Sequence, residues 1–189
     1  FSVSSAGDIN GDGFDDILIG AYRADPNGDE SGESYVVFGK ENGFEDSLDL
    51  SSLDGSTGFV INGIDGDDES GRSVSSAGDI NGDGFDDILI GARLADPSGS
   101  NSGASYVVYG KNNDFDAILD LETPNGNLIV WELHGADQNR NAGHSVSSAG
   151  DINGDGFDDI LIGAPYADPN AVNSGESYVV FGGQHSLQA

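Results

Sequence analysis

The chain has 189 residues, 36% apolar and 8% aromatic, enough for one ordinary domain with a good core and unlike a disordered acidic tail. Thirty-four acidic residues against six basic give a formal net charge of −28, a field that repels nucleic acid and anionic membranes and attracts cations. Without a single cysteine, disulfides, thiolate zinc sites and thiol chemistry are excluded. Apolar runs stay well short of the ~18 residues that a membrane helix needs, and no signal peptide is recognisable. There is no methionine and the first residue is Phe1, so a processed or excised piece of a longer product is expected.

In chain order, residues 2–7 (Ser-Val-Ser-Ser-Ala-Gly) predict a strand of small side chains. An acidic, glycine-rich loop follows at 8–16, then an apolar strand at 16–21. Residues 22–32 carry Asp25-Pro26 and Asn27-Gly28, both strong turn formers. A third strand is predicted at 33–38, and a fourth near 58–64, answered by 128–133 further on. No segment combines helical periodicity with a cap and a stop signal. Ile17-Leu18-Ile19 and Tyr35-Val36-Val37-Phe38 are continuous apolar runs, which implies burial on both faces. Trp131 takes the place of Phe59 and is read as outer-strand packing.

The pattern repeats. Twenty residues, SVSSAGDINGDGFDDILIGA, occur without a difference at 2–21, 73–92 and 145–164. Asp8, Asp79 and Asp151 mark the same point, 71 and 72 residues apart. Phe44, Leu48 and Leu50 in one connecting segment answer to Phe115, Leu119 and Leu121 in the next. A period this long suits a multi-strand unit such as a propeller blade, with the small-residue strand nearest a crowded axis. The expected organisation is all-β, about three four-stranded blades over units of roughly 1–71, 72–143 and 144–189, the last incomplete.

Within the loop Asp8-Ile9-Asn10-Gly11-Asp12-Gly13-Phe14-Asp15-Asp16, oxygen side chains stand at positions 1, 3, 5 and 9. Gly13 permits the sharp turn that would bring the Phe14 carbonyl to the same centre. Such a hard oxygen shell suits calcium, which takes 6–8 oxygen ligands, better than magnesium or zinc. The loop is not an EF-hand: position 12 is Ile19, Ile90 or Ile162, and a strand follows rather than a helix. Asp15, Asp86 and Asp158, at position 8, are expected to face outward, either to solvent or as groups that support the ligand residues. Three calcium ions, +6 in all, would move the formal net from −28 to −22.

These residues resemble FG-GAP repeats, the units of the integrin α-subunit β-propeller, which also occur in many secreted bacterial proteins. The likeness covers 2–39, 71–110 and 143–182. It implies four-stranded blades in a seven-bladed ring, calcium loops between the first two strands of each blade, and partner binding through the opposite loops. Carried over by position, the calcium ligands are Asp8, Asn10, Asp12, Phe14 through its carbonyl, and Asp16. They recur as Asp79, Asn81, Asp83, Phe85 and Asp87, and as Asp151, Asn153, Asp155, Phe157 and Asp159. The aromatic of the family's aromatic-glycine pair is Ser70 and Ala142 here, and only the third copy keeps Gly163-Ala164-Pro165. These departures favour a bacterial-type relative.

Three blades do not close a ring, so further blades of a parent chain, or self-association, are expected to complete it. The function implied is a calcium-binding module of an extracellular or cell-surface adhesion protein. Its partner would be a protein or glycan, met through loops near 22–32, 64–71, 93–103, 135–143 and 165–175. The alternative is a non-catalytic accessory module of a secreted enzyme such as a phospholipase or glycan hydrolase. Histidine is limited to His134, His144 and His185, and no nucleophile-base-acid grouping repeats, so no catalytic residue is assigned.

Overall fold

The computed structural model describes residues 1–112, 114–122 and 130–183; the expectations for Leu128 and His185 lie outside them. Among the described residues, twelve strands form three sheets. The first contains β1 (Ser2–Gly7), β2 (Asp16–Ala21), β3 (Glu33–Val37) and β4 (Gly58–Asn62) in sequential antiparallel order. The second is built from β5 (Ser70–Gly78), β6 (Asp87–Ala92), β7 (Ala104–Val108) and, beyond the short β8 (Ile118–Asp120), β9 (Val130–His134). The third has β10 (Ser145–Gly150), β11 (Asp159–Ala164) and β12 (Glu176–Val180).

Identical sequence gives identical register. Val3 faces Ile19, Val74 faces Ile90 and Val146 faces Ile162, and each inner hairpin shifts register just before its acidic loop. The outer strands obey the same rule: Val36 pairs with Phe59 and Val107 with Trp131, which makes the two aromatics equivalent.

Small residues let the inner strands approach. The amide of Val74 donates to Ser2 Oγ at 3.3 Å, and that of Ser148 to Ser75 Oγ at 3.3 Å. A Cβ on Gly20 would meet the Gly71 carbonyl at 2.1 Å, so nothing larger fits there. Two apolar clusters fill the gaps between successive sheets. One includes Ile9, Leu18, Val36, Ile88 and Ile90, the other Ile80, Leu89, Val107, Ile160 and Ile162.

Two expectations need correction. The blades are not uniformly four-stranded. β8 leaves the second unit's connecting segment and pairs parallel with β4, Val60 opposite Ile118 and Asn62 opposite Asp120, making the first sheet five-stranded. Phe115 anchors this return by stacking on Phe59, ring centroids 4.7 Å apart, and by touching Phe38 at 5.4 Å. Leu119 and Leu121 are buried beneath it, whereas Phe44 and Leu48, the equivalents of Phe115 and Leu119, are exposed, with no earlier sheet among the described residues to receive them. Burial on both faces also holds only for the middle sheet, where every residue of β6 is buried; Ile17 and Leu161, on the outer faces, are partly exposed.

Candidate metal-binding loops

Each acidic loop joins the first two strands of its sheet, and all three are closed by the same bonds. In the first, Asp8 Oδ1 accepts from the amide of Asp12 at 3.0 Å and Oδ2 from that of Gly13 at 3.0 Å. Asn10 Oδ1 accepts from the Asp12 amide at 2.8 Å, and Asp12 Oδ1 from the Phe14 amide at 2.9 Å. Gly13 has φ +92°, the left-handed conformation that position 6 requires. Asp79, Asn81 and Asp83 repeat these contacts, as do Asp151, Asn153 and Asp155.

The closing aspartate does a second job. Asp16 Oδ2 accepts from Ile9 N at 3.0 Å and Oδ1 from Gly39 N at 2.7 Å, so one buried carboxylate ties the loop to the end of β3. Asp87 holds Ile80 and Gly110 in the same way, and Asp159 holds Ile152 and Gly182. Burial, opposed by those amides and reinforced by the charges of Asp12 and Asp8, pushes the Asp16 carboxyl up to about 6. Burial, more than the charges of Asp83 and Asp79 beside it, pushes Asp87 up to about 8. Among the described residues no Lys, Arg or His pairs with either.

The donor set fits a hard cation: it is all oxygen, it gathers carboxylates, and its innermost member is held out of water without a positive partner. As the side chains stand, however, no three His, Cys, Asp or Glu groups among the described residues converge as a cage, because the loop amides share their oxygens. Phe14, Phe85 and Phe157 sit at the turn, their amides engaged by Asp12, Asp83 and Asp155.

Position 8 departs from expectation. Asp86 does not simply face outward: its Oδ2 accepts from the Asp8 amide of the preceding loop at 2.8 Å, and Asp158 does the same for Asp79 at 2.9 Å. The neighbouring rings join in, since a Cβ on Gly11 would lie 2.4 Å from Phe85, and one on Gly82 equally close to Phe157. The second and third loops are thus each plugged into the one before. The signal for this was present as a Phe-Asp pair repeated at a position that looked like solvent.

At the opposite ends of the strands lies a grouping that sequence reading missed. Four of the six basic residues, Arg23, Arg72, Arg93 and Arg140, collect there. Arg93 makes a bidentate pair with buried Glu69 at 2.7 and 3.0 Å, and Arg140 pairs with Asp168 at 2.6 Å. The Arg72 guanidinium sits 4.5 Å over the Tyr22 ring, linking the first two sheets. No pattern in the repeat marks these arginines, because they fall where the copies differ.

The three sheets, each opened by a hairpin around an acidic glycine loop, define a repeat protein of one family. The family model described as FG-GAP repeat matches residues 1–37, 70–108 and 142–180, more than half of the chain, and the chain belongs to that family. Among curated proteins it is similar to integrin alpha pat-2 of Caenorhabditis elegans, 29% identical over 189 residues, covering 98% of this chain and 14% of that protein. Integrin alpha-PS3 of Drosophila melanogaster is 29% identical over 167 residues, 86% of this chain and 13% of the relative. Human integrin alpha-11 is 31% identical over 164 residues, 83% and 12%. The chain therefore spans 12–14% of the length of these relatives.

Proposed function

We propose that this chain is a non-catalytic, calcium-binding β-propeller module of an extracellular or cell-surface adhesion protein, with repeat units of about 1–71, 72–143 and 144–189. The observation that carries the calcium part is the triple recurrence of one oxygen-rich loop in which a buried carboxylate has no cationic partner. In the first loop Asp8, Asn10, Asp12, the Phe14 carbonyl and Asp16 would hold the ion, and the matching residues would do so in the other two. The ion would neutralise the gathered charge and so pin β1 to β2, β5 to β6 and β10 to β11. Likeness to integrin alpha chains supports the adhesion role and an extracellular setting, where free calcium reaches the 10⁻⁴–10⁻³ M that such modules need.

A protein or glycan partner would meet the loops on the arginine-bearing side, opposite the acidic ones. Ser70 and Ala142, where the family has an aromatic, support a bacterial-type relative, which the flanking sequence of the parent gene would test. Titration calorimetry with calcium should give three sites per chain, and millimolar calcium should raise Tm above its value in EDTA, because the ion binds the folded state preferentially. Coincident melting curves in the two buffers would defeat the proposal.

A further inference from the structure

At the strand ends away from the acidic loops, a polar cleft runs along the junction of the second and third sheets. One wall is the segment 135–143, which Asn139 N fastens to Ser100 O in the second sheet's own loop at 2.7 Å. The other is the loop 165–175 of the third sheet. Between them lies a cavity of about 390 Å³, within the range of small-molecule sites. Arg140 spans the cleft: it pairs with Asp168 at 2.6 Å and donates to the Tyr166 carbonyl at 3.4 Å, with Asp137 4.0 Å away.

The lining can hydrogen-bond a ligand but does not favour a charged one. Gln138, Asn139 and Asn173 line the cavity, and their carboxamides make no hydrogen bond among the described residues. Each therefore keeps two N–H donors and an acceptor oxygen available. Tyr166, 43% exposed, adds an aromatic ring. The Arg140 charge is already met by Asp168 and Asp137, and the Asn173 amide, with Arg140 after it, holds the Asp168 carboxyl below the usual carboxylate range. An anionic ligand would find no unmatched cation there and would enter the field of a chain of net charge −28. A cationic one would meet Arg140 in the middle of the cleft. The first junction lacks the same equipment: Asp68 replaces Arg140, Gly66 replaces Gln138, Asp67 replaces Asn139 and Leu94 replaces Tyr166. There Leu94 N donates straight across to Asp68 O at 3.3 Å.

We propose that this cleft binds a neutral saccharide, one pyranose ring in the cavity with its hydroxyls bonded to the Gln138, Asn139 and Asn173 carboxamides and a C–H face against Tyr166. The inference rests on the reading that a partner meets this side of the molecule, and it gives that partner a chemistry. A sugar ring fits because each hydroxyl both donates and accepts, as the carboxamides do, and because its C–H face is the apolar surface that a tyrosine ring covers. The second junction is the site and the first is not, since the three changes to the lining and the change of spanning residue fall together there.

NMR titration of the isotope-labelled 189-residue chain in calcium, with the methyl pyranosides of glucose, galactose, mannose and N-acetylglucosamine, tests this. At least one of them should bind with a Kd on the order of 1 mM and move the side-chain amide signals of Gln138, Asn139 and Asn173. Tyr166→Ala and Gln138→Ala, both at exposed residues and checked for fold by circular dichroism, should each weaken that binding at least about threefold. Methyl glucuronide should bind more weakly than methyl glucoside. Silence from every sugar at about 100 mM, shifts confined to other residues, variants that bind as well as the parent, or a preference for the glucuronide would each overturn the proposal. Melting that ignores calcium would sink the function proposed above and leave these shifts untouched, whereas a full calcium response with no sugar bound sinks this inference alone.

Discussion

Truncating one leucine in two identical sequence settings separates neighbour packing from everything local. Leu89→Ala empties a site in β6 that is wholly buried between the second and third sheets, among Val107, Ile80 and Ile160. Buried Leu→Ala changes cost ~3–5 kcal/mol, part of it from the cavity left behind. Leu161→Ala alters the same position of β11, flanked by the same residues, but on a face 37% exposed and with no opposing sheet to leave a void. A loss of about 1 kcal/mol is expected there, from the buried fraction of the side chain alone. Strand propensity and hairpin register are the same in both, so the difference of ~2 kcal/mol or more reports the neighbouring sheet. With a urea slope of about 2 kcal/mol/M, midpoints should fall by ~1.5–2.5 M for Leu89→Ala and ~0.5 M for Leu161→Ala. Equal shifts would refute the stacking of the three sheets.

The plug between loops should be visible in stability: Asp158→Ala removes a charge-assisted bond to the Asp79 amide and should cost ~1.5–3 kcal/mol, against nearly nothing for Asp15→Ala, as read from urea midpoints. Phe115→Ala should cost ~3 kcal/mol by freeing the returning segment from Phe59 and Phe38, while Phe44→Ala, on an exposed ring, should fall within ~0.5 kcal/mol. Burial first, and the charges of Asp65, Asp96 and Asp67 after it, push the Asp68 carboxyl from 3.8 up to about 6. Between those values the folded chain keeps a proton that the unfolded chain has shed, so stability falls as pH rises through the window. Asp68→Asn should flatten that slope and stabilise the chain at neutral pH; an unchanged pH profile of Tm would count against this assignment.

The strands were legible because each of them is set by short-range pattern. Val3 and Ile19 pair in a hairpin whose loop length and glycines are written in the same twenty residues, so the register followed from the repeat. The loop's oxygen ladder was legible for the same reason. What could not be read locally depends on neighbours. β8 is three residues long, with only Leu119 buried, too little for any periodicity to announce a strand, and its partner β4 lies more than fifty residues back. The inter-loop role of Asp86 was hidden because an exposed aspartate and one clipped to another loop look alike in sequence. Ile17 and Ile88 make the point most directly: one sequence, two environments, decided by whether another sheet stands in front.

The crossing of β8 onto β4 separates the unit of inheritance from the unit of construction. A duplicated stretch of 71–72 residues brings its own inner hairpin together with a strap that fastens not itself but the sheet before it. The second copy thus carries a finishing piece for the first. Deleting it would also unfasten the sheet upstream, so a version shortened there would carry damage beyond the missing segment.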